Sequence, residues 1–221
     1  MTTTAVTPGS IGILGVGRVG AAVARRAVES GYEVRIATAK PAEEIALLAE
    51  IVTPGAIAVD APELAETDLT VIAIPLRRYR DLDPAHFAGR TVVDVMNYWA
   101  PTDGELPDFE RDARSTSEVI QDHLPGALLV KSLNHIGYHD LEADHRTSGA
   151  ADRRALAVAS DHEQSRALVA AFIDRIGFDA VDAGPLAAGR VFQPGTEIFN
   201  GSHSAVQLRG LLAEACAGAR V

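Results

Sequence analysis

Residues 11–31 read IGILGVGRVGAAVARRAVESG. The run 11–14 is apolar and stops at glycine, as a buried parallel strand does. Val19, Val23 and Ala27 then recur at helical spacing, and Gly31 stands where such a helix stops. Between strand and helix lie Gly15, Gly17 and Gly20, spaced G-x-G-x-x-G. In a chain with 19 glycines the spacing alone says little. Its place after a strand and at the opening of a helix gives it weight. There, Gly15 makes the tight turn, Gly17 lets a pyrophosphate approach the backbone, and Gly20 lets helix and strand pack closely. The open N–H groups of the helix start, with the turn residues Val16, Arg18 and Val19, complete a dinucleotide cradle.

The same alternation continues outward. YEVRIAT (32–38) reads as a second strand, and PAEEIALLAE (41–50) as a helix with Pro at its start and acids in its first turn. AIAVD (56–60), DLTVIAIP (68–75), RTVVDVMN (90–97) and ALLVKSLN (127–134) supply four more strands. Residues 101–114 read as a surface loop. Ser115, three before Glu118, predicts a capping box for a short helix. RRALAVAS (153–160) is a seventh strand, and residues 161–177 form an amphipathic helix with Asp161 placed to cap it. A short strand spans 178–186, and residues 204–218 are helical. The expected fold is α/β: a Rossmann-type doubly wound, mainly parallel sheet with a smaller C-terminal α/β lobe. The polar stretch 139–152 places the expected boundary between a dinucleotide-binding domain (10–138) and the lobe (139–221), though later strands can join the same sheet.

Composition narrows the function. An apolar fraction of 47% suffices for a sizeable core. A formal charge of −10 argues against nucleic-acid and anionic-membrane partners. No apolar run reaches the ~18 residues that span a bilayer, and the start MTTTAVTPGS lacks the basic and apolar regions of a secretory signal. Cys216 is the sole cysteine, so a cytoplasmic location is expected. There is no G-x-S-x-G elbow, no H-E-x-x-H and no Cys/His nucleophile pair. His135, His139 and His145, with Asp140 and Asp144, match no closed zinc spacing, so no metal is expected.

Which dinucleotide binds is decided at the end of the second strand. The sequence there is RIATAKPAEE: Thr38 and Lys40 come first, and no acid precedes Glu43. A hydroxyl and a cation suit the 2′-phosphate of NADP, and a carboxylate would repel it. Only two of the twenty basic residues are lysines, Lys40 and Lys131.

Several stretches resemble the NADPH:coenzyme F420 oxidoreductase family, F420 being a deazaflavin. They are ILGVGRVG, IAIP (72–75), DVMNYW (94–99), VKSLNHIG (130–137) and FDAVDAGPLAAGR (178–190). The resemblance implies hydride transfer between NADP(H) and F420 or another flavin-like acceptor, in a homodimer. It places Ile74, Pro75 and Asn97 along the cofactor. It sets Asn134, His135 and Ile136 at the border of nicotinamide and deazaflavin, Asn134 and His135 being the catalytic candidates. Asn134 can hydrogen-bond a carboxamide or carbonyl, or be a turn residue. His135 can stabilise charge on a reduced ring, or be a solvated loop histidine. Some relatives carry Arg where this chain has Ala39, so phosphate binding rests on Thr38 and Lys40. Arg77, Arg78 and Arg80 form a basic cluster that can attract a phosphate or a carboxylated tail, or simply be solvated.

Two other readings stay open. NADPH can serve a small carbonyl, imine or quinone substrate, for which Lys131 or His135 would have to donate a proton. Or the chain is a non-enzymatic NADP-sensing module.

Overall fold

One sheet organises the chain, whose computed structural model describes residues 7–110 and 114–218. The first residues discussed above and part of the 101–114 loop lie outside the described residues. The strands are β1 (Ser10–Leu14), β2 (Glu33–Ala37), β3 (Ile57–Ala58), β4 (Leu69–Ile72), β5 (Thr91–Asp94), β6 (Leu128–Lys131), β7 (Ala155–Ala159) and β8 (Asp179–Gly184). Their order is β3-β2-β1-β4-β5-β6-β7-β8. Every pairing is parallel except β6 with β7, which meet antiparallel at Lys131 and Ala159. The order reverses between β1 and β4, so a crevice opens beyond their carboxyl ends.

Period-two alternation sorts the side chains onto two faces. Ile11, Ile13, Val71, Val93, Val130 and Val158 point to one face and pack with buried residues of helices α1 (Arg18–Glu29), α2 (Ala42–Val52; here Ala49) and the 163–175 helix. Leu14, Ile72, Val92 and Leu129 point to the other, against short 3₁₀ turns at 61–66 and 76–81 and the helix at 116–123. Phe172 and Phe178 are wholly buried on the first face. Each such side chain stabilises the fold by roughly 1.5–3 kcal/mol.

Between β5 and β6 lie α3 (Ala100–Asp103), α4 (Pro107–Glu110) and α5 (Thr116–His123). The first two are single helical turns where the sequence reads as loop. The capping box is present: Ser115 Oγ accepts from Glu118 N–H, and Glu118 returns a bond to Ser115 N–H at 2.7 Å. After β6 comes α6 (Tyr138–Ala143), inside the stretch read as starting a polar linker, and it packs on α1. Then follow α7 (Glu163–Arg175), α8 (Glu197–Asn200) and α9 (Ala205–Gly218). Asp161 does not cap α7. His162 holds that position, and the Asp161 carboxylate accepts from Leu186 N–H instead. β7 and β8 extend the first sheet, with α9 packed over Ala155, Ala157 and Val181.

Strands end earlier than their apolar runs. β5 stops because Asp94 Oδ1 accepts Met96 N–H at 2.9 Å, turning the backbone out of the ladder. β4 stops at Ile72, and Pro75, which has no N–H, leads the chain into the next turn.

Candidate functional site

At the end of β1 the chain makes the glycine turn. Gly15 has φ +119°, and a Cβ there would stand 2.4 Å from Ala73 O. A Cβ on Gly20 would stand 2.0 Å from Gly15 O. The protein itself therefore requires these two glycines. Gly17 is different: a Cβ there would meet nothing within 4 Å. The space over Gly17 is open, and the protein itself does not fill it. The start of α1 has matching electrostatics. It has no side-chain cap and no acid in its first turn, so its N–H groups and partial positive charge face outward.

Two cavities flank this turn. The first, about 260 Å³, lies where β1, β2 and β4 end and is lined by Gly15, Thr38, Ile74, Pro75 and Arg78, among others. The second, about 460 Å³, is lined by Val19, Asn97, Asn134, His135, Ile136 and Tyr138, with Phe199 and Asn200 from the C-terminal part. A crevice with two wells on either side of a helix N-terminus can hold a dinucleotide lengthwise, its pyrophosphate over Gly17. The expected contacts thus fall together: Val16, Gly17, Arg18, Val19 and Gly20 in or just after the turn, Gly15, Thr38, Ile74 and Pro75 at one well, Asn97, Asn134, His135 and Ile136 at the other. Lys40 is not among the residues lining either. Its ammonium lies 3.5 Å from Glu44 one helical turn on, on a side chain 68% exposed.

The 134–135 pair is bound inward. Ala157 N–H donates to His135 Nε2 at 2.9 Å, so Nδ1 carries the proton and donates to Asn134 Oδ1 at 3.1 Å. Asn134 Nδ2 donates to Asn97 Oδ1 at 3.0 Å and to Phe192 O at 2.9 Å. Burial, and then the charges of Arg154, Lys131 and His203, push the His135 pKa down to about 3. His135 is therefore neither a solvated loop histidine nor a cation beside a reduced ring: it is neutral, with both nitrogens engaged. Asn134 likewise has its amide hydrogens and its oxygen taken, and both residues position the turn. Asn97 keeps one amide hydrogen beyond its bond to Asn134 O, at 2.7 Å, and is partly exposed.

Lys131 lies outside both cavities. It is fully buried, its ammonium 3.1 Å from Asp94 Oδ2 and bonded to Met96 O. Burial lowers its pKa, and the Asp94 charge opposes the shift. Ser117 Oγ donates to the same carboxylate oxygen at 2.6 Å. This pair joins β5, β6 and α5 and can reach neither phosphate nor substrate.

Tyr138 and Arg154 were not singled out from the sequence. Tyr138 opens α6, with the Arg18 guanidinium 5.7 Å over its ring. Arg154 is buried and bonds Asp140, Asp144, His135 O and Gly201 O at 3.2–3.3 Å, tying the 201 turn over the second cavity. Gly137 before Tyr138 was the available signal for α6; nothing local marked Arg154. Asp140 and Asp144 are thus engaged, and His145 bonds Glu142 O. Among the described residues no group of three or more His, Cys, Asp or Glu side chains is placed to hold a metal ion. None of the described helices is long and apolar enough to cross a membrane.

Comparison with known proteins adds four findings. Residues 10–98 match the family model described as NADP oxidoreductase, coenzyme F420-dependent. The rat (Rattus norvegicus) metalloreductase STEAP3 is 28% identical over 184 residues, 81% of this chain, and the chain spans 35% of that relative's length. In structure, the chain is similar to a hypothetical protein from Sinorhizobium meliloti (24% identity, TM-score 0.76, covering 90% of this chain and 95% of that one). It is also similar to a candidate F420-dependent NADP reductase from Arthrobacter sp. FB24 (24% identity, TM-score 0.68, covering 81% and 86%). These structural likenesses carry the fold.

Proposed function

We propose that this chain, whose residues 10–98 match the family model described as NADP oxidoreductase, coenzyme F420-dependent, transfers hydride between NADP(H) and a deazaflavin or flavin-like acceptor. The observation that carries this reading is the chemistry of the second cavity. His135 there is held neutral, and the Arg154 charge is set against Asp140 and Asp144. The cavity then offers a wall of Val19, Val95, Leu133 and Ile136 beside the neutral polar groups of Asn97, Asn200 and Ser202. Such a wall can pack against a flat ring while the amides at its edge hydrogen-bond the ring's substituents.

When bound, the two cofactors supply the hydride-donating and hydride-accepting carbons, so the protein's task is alignment. The uncapped N–H groups of α1 hold the pyrophosphate. Thr38 stands by the 2′-phosphate. Ile74 and Pro75 line the dinucleotide, and the open N–H of Asn97 fixes the carboxamide. Asn134 and His135 keep the turn rigid beneath the rings, and Ile136 closes one side. The lobe beyond residue 139 covers the acceptor with Phe199 and Asn200. A homodimer and a cytoplasmic location belong to the same reading.

Neither expected donor favours the carbonyl or imine alternative: Lys131 is buried in an ion pair away from the cavity, and His135 is neutral, its one N–H directed to Asn134 Oδ1. Purified protein with NADPH tests the proposal, following nicotinamide absorbance with F420, FMN, FAD and a quinone in turn. F420 reduction supports it. No loss of F420 absorbance at high enzyme concentration sinks the acceptor assignment. Tight NADPH binding without turnover of any acceptor favours the sensing module.

A further inference from the structure

We propose that Arg78, and not Lys40, selects the 2′-phosphate of the dinucleotide. The inference rests on the NADP reading above and assigns the cation that reading requires. The first cavity opens where β1, β2 and β4 end. Thr38 and Arg78 both line it, and Lys40 does not. Lys40 points along the surface, its ammonium 3.5 Å from Glu44. Arg78 donates through Nε to Asp81 Oδ2 at 2.7 Å. That bond engages Nε and leaves the two terminal nitrogens without a described partner. A guanidinium presented this way matches the bidentate geometry of phosphate.

The neighbouring arginines are otherwise engaged. Arg77 donates to Thr102 O at 3.2 Å, and Arg80 to Asp108 at 2.6 Å and to Tyr79 Oη at 2.9 Å. Thr38 Oγ1 accepts Lys40 N–H at 3.0 Å, so its hydroxyl hydrogen is available to a phosphate oxygen.

The other charges on the cavity wall sharpen the inference. Asp81 and Asp83 also line it. Asp83 is turned into its own 3₁₀ turn, accepting Ala85 N–H at 2.9 Å. Asp81 is balanced by Arg78 alone among its described partners. Remove the guanidinium, and Asp81 becomes a bare carboxylate that repels a phosphate and accepts a ribose hydroxyl. Loss of Arg78 should therefore reverse cofactor preference as well as weaken it.

The test is calorimetric titration of the whole chain and of Arg78→Ala, Arg78→Lys and Lys40→Ala with NADPH, NADH and 2′,5′-ADP. Arg78→Ala should lose roughly 10- to 100-fold in affinity for NADPH and for 2′,5′-ADP. Its NADH affinity should hold or rise, which also reports that the site is folded. Arg78→Lys should fall between, and Lys40→Ala should change every affinity by no more than about threefold. The inference is overturned if Arg78→Ala keeps the wild-type ratio of NADPH to NADH affinity, or if Lys40→Ala abolishes it. A wild-type chain that binds NADH as well as NADPH overturns the NADP reading itself.

Discussion

Gly17 and Gly20 look alike in the motif and differ in cause. Gly20 is required by the protein, because a Cβ would sit 2.0 Å from a backbone oxygen; at Gly17 the protein leaves room for a Cβ, so in the proposed function only the bound dinucleotide would need the glycine. Gly17→Ala should leave the thermal midpoint close to wild type while raising the Kd for NADPH about tenfold or more. Gly20→Ala should destabilise by at least 1–3 kcal/mol. Paired thermal melts and NADPH titrations separate the two. His135 makes a pH prediction. Its folded pKa of about 3 lies below the usual 6.5, so between those values the unfolded chain binds the extra proton. Stability is then fully present above pH 6.5 and falls as pH drops toward 3, by up to roughly 1.4 kcal/mol per pH unit from this residue. Denaturant midpoints at pH 7 and pH 5 should show His135→Gln less stable at pH 7 but flatter with pH. An unchanged slope would show that other groups set the acid limit.

Among the elements, α5 is short, at eight residues, and depends on its start. Isolated helices of that length are marginal in water. Here Ser115 and Glu118 close a reciprocal cap, and Val119 and Ile120 anchor the buried face. Ser115→Ala should cost about 1 kcal/mol, read as a lower urea midpoint with unchanged m-value. The helix matters beyond itself because Ser117 reaches the Asp94–Lys131 pair. α1 shows the opposite design. Its start is left without a side-chain cap, so its stability comes from the buried face of Ala22, Val23, Ala24 and Ala27, and its open N–H groups remain for a ligand.

On the scale of the molecule, the sheet is continuous, and its one antiparallel pairing joins the early strands to β7 and β8. Lys131 sits at that seam, paired to Ala159 in register and to Asp94 by charge. Removing one partner leaves a buried charge uncompensated. Lys131→Met should therefore destabilise by about 3–5 kcal/mol. Because the pair lies outside both cavities, the folded variant should keep its NADPH affinity. A denaturation curve at low temperature together with a titration checks both halves. Normal stability with lost binding would place Lys131 in the site after all.

The succession of strands and helices and the glycine turn were legible in the residues, because they are written in local periods: two for strands, near four for helices, and glycine where the chain must turn tightly. Thr38, Ile74, Pro75, Asn97 and Ile136 could be placed at strand ends for the same reason. The states of the polar residues could not. Whether His135 is solvated or sealed, whether Lys131 faces a ligand or Asp94, and whether Lys40 or Arg78 lines the cavity depend on groups brought together from separate elements, Ala157 to His135 across 22 positions and Asp94 to Lys131 across 37. Only the tertiary fold decided them, since burial and pairing of charge are properties of packed neighbours and leave no local period to read.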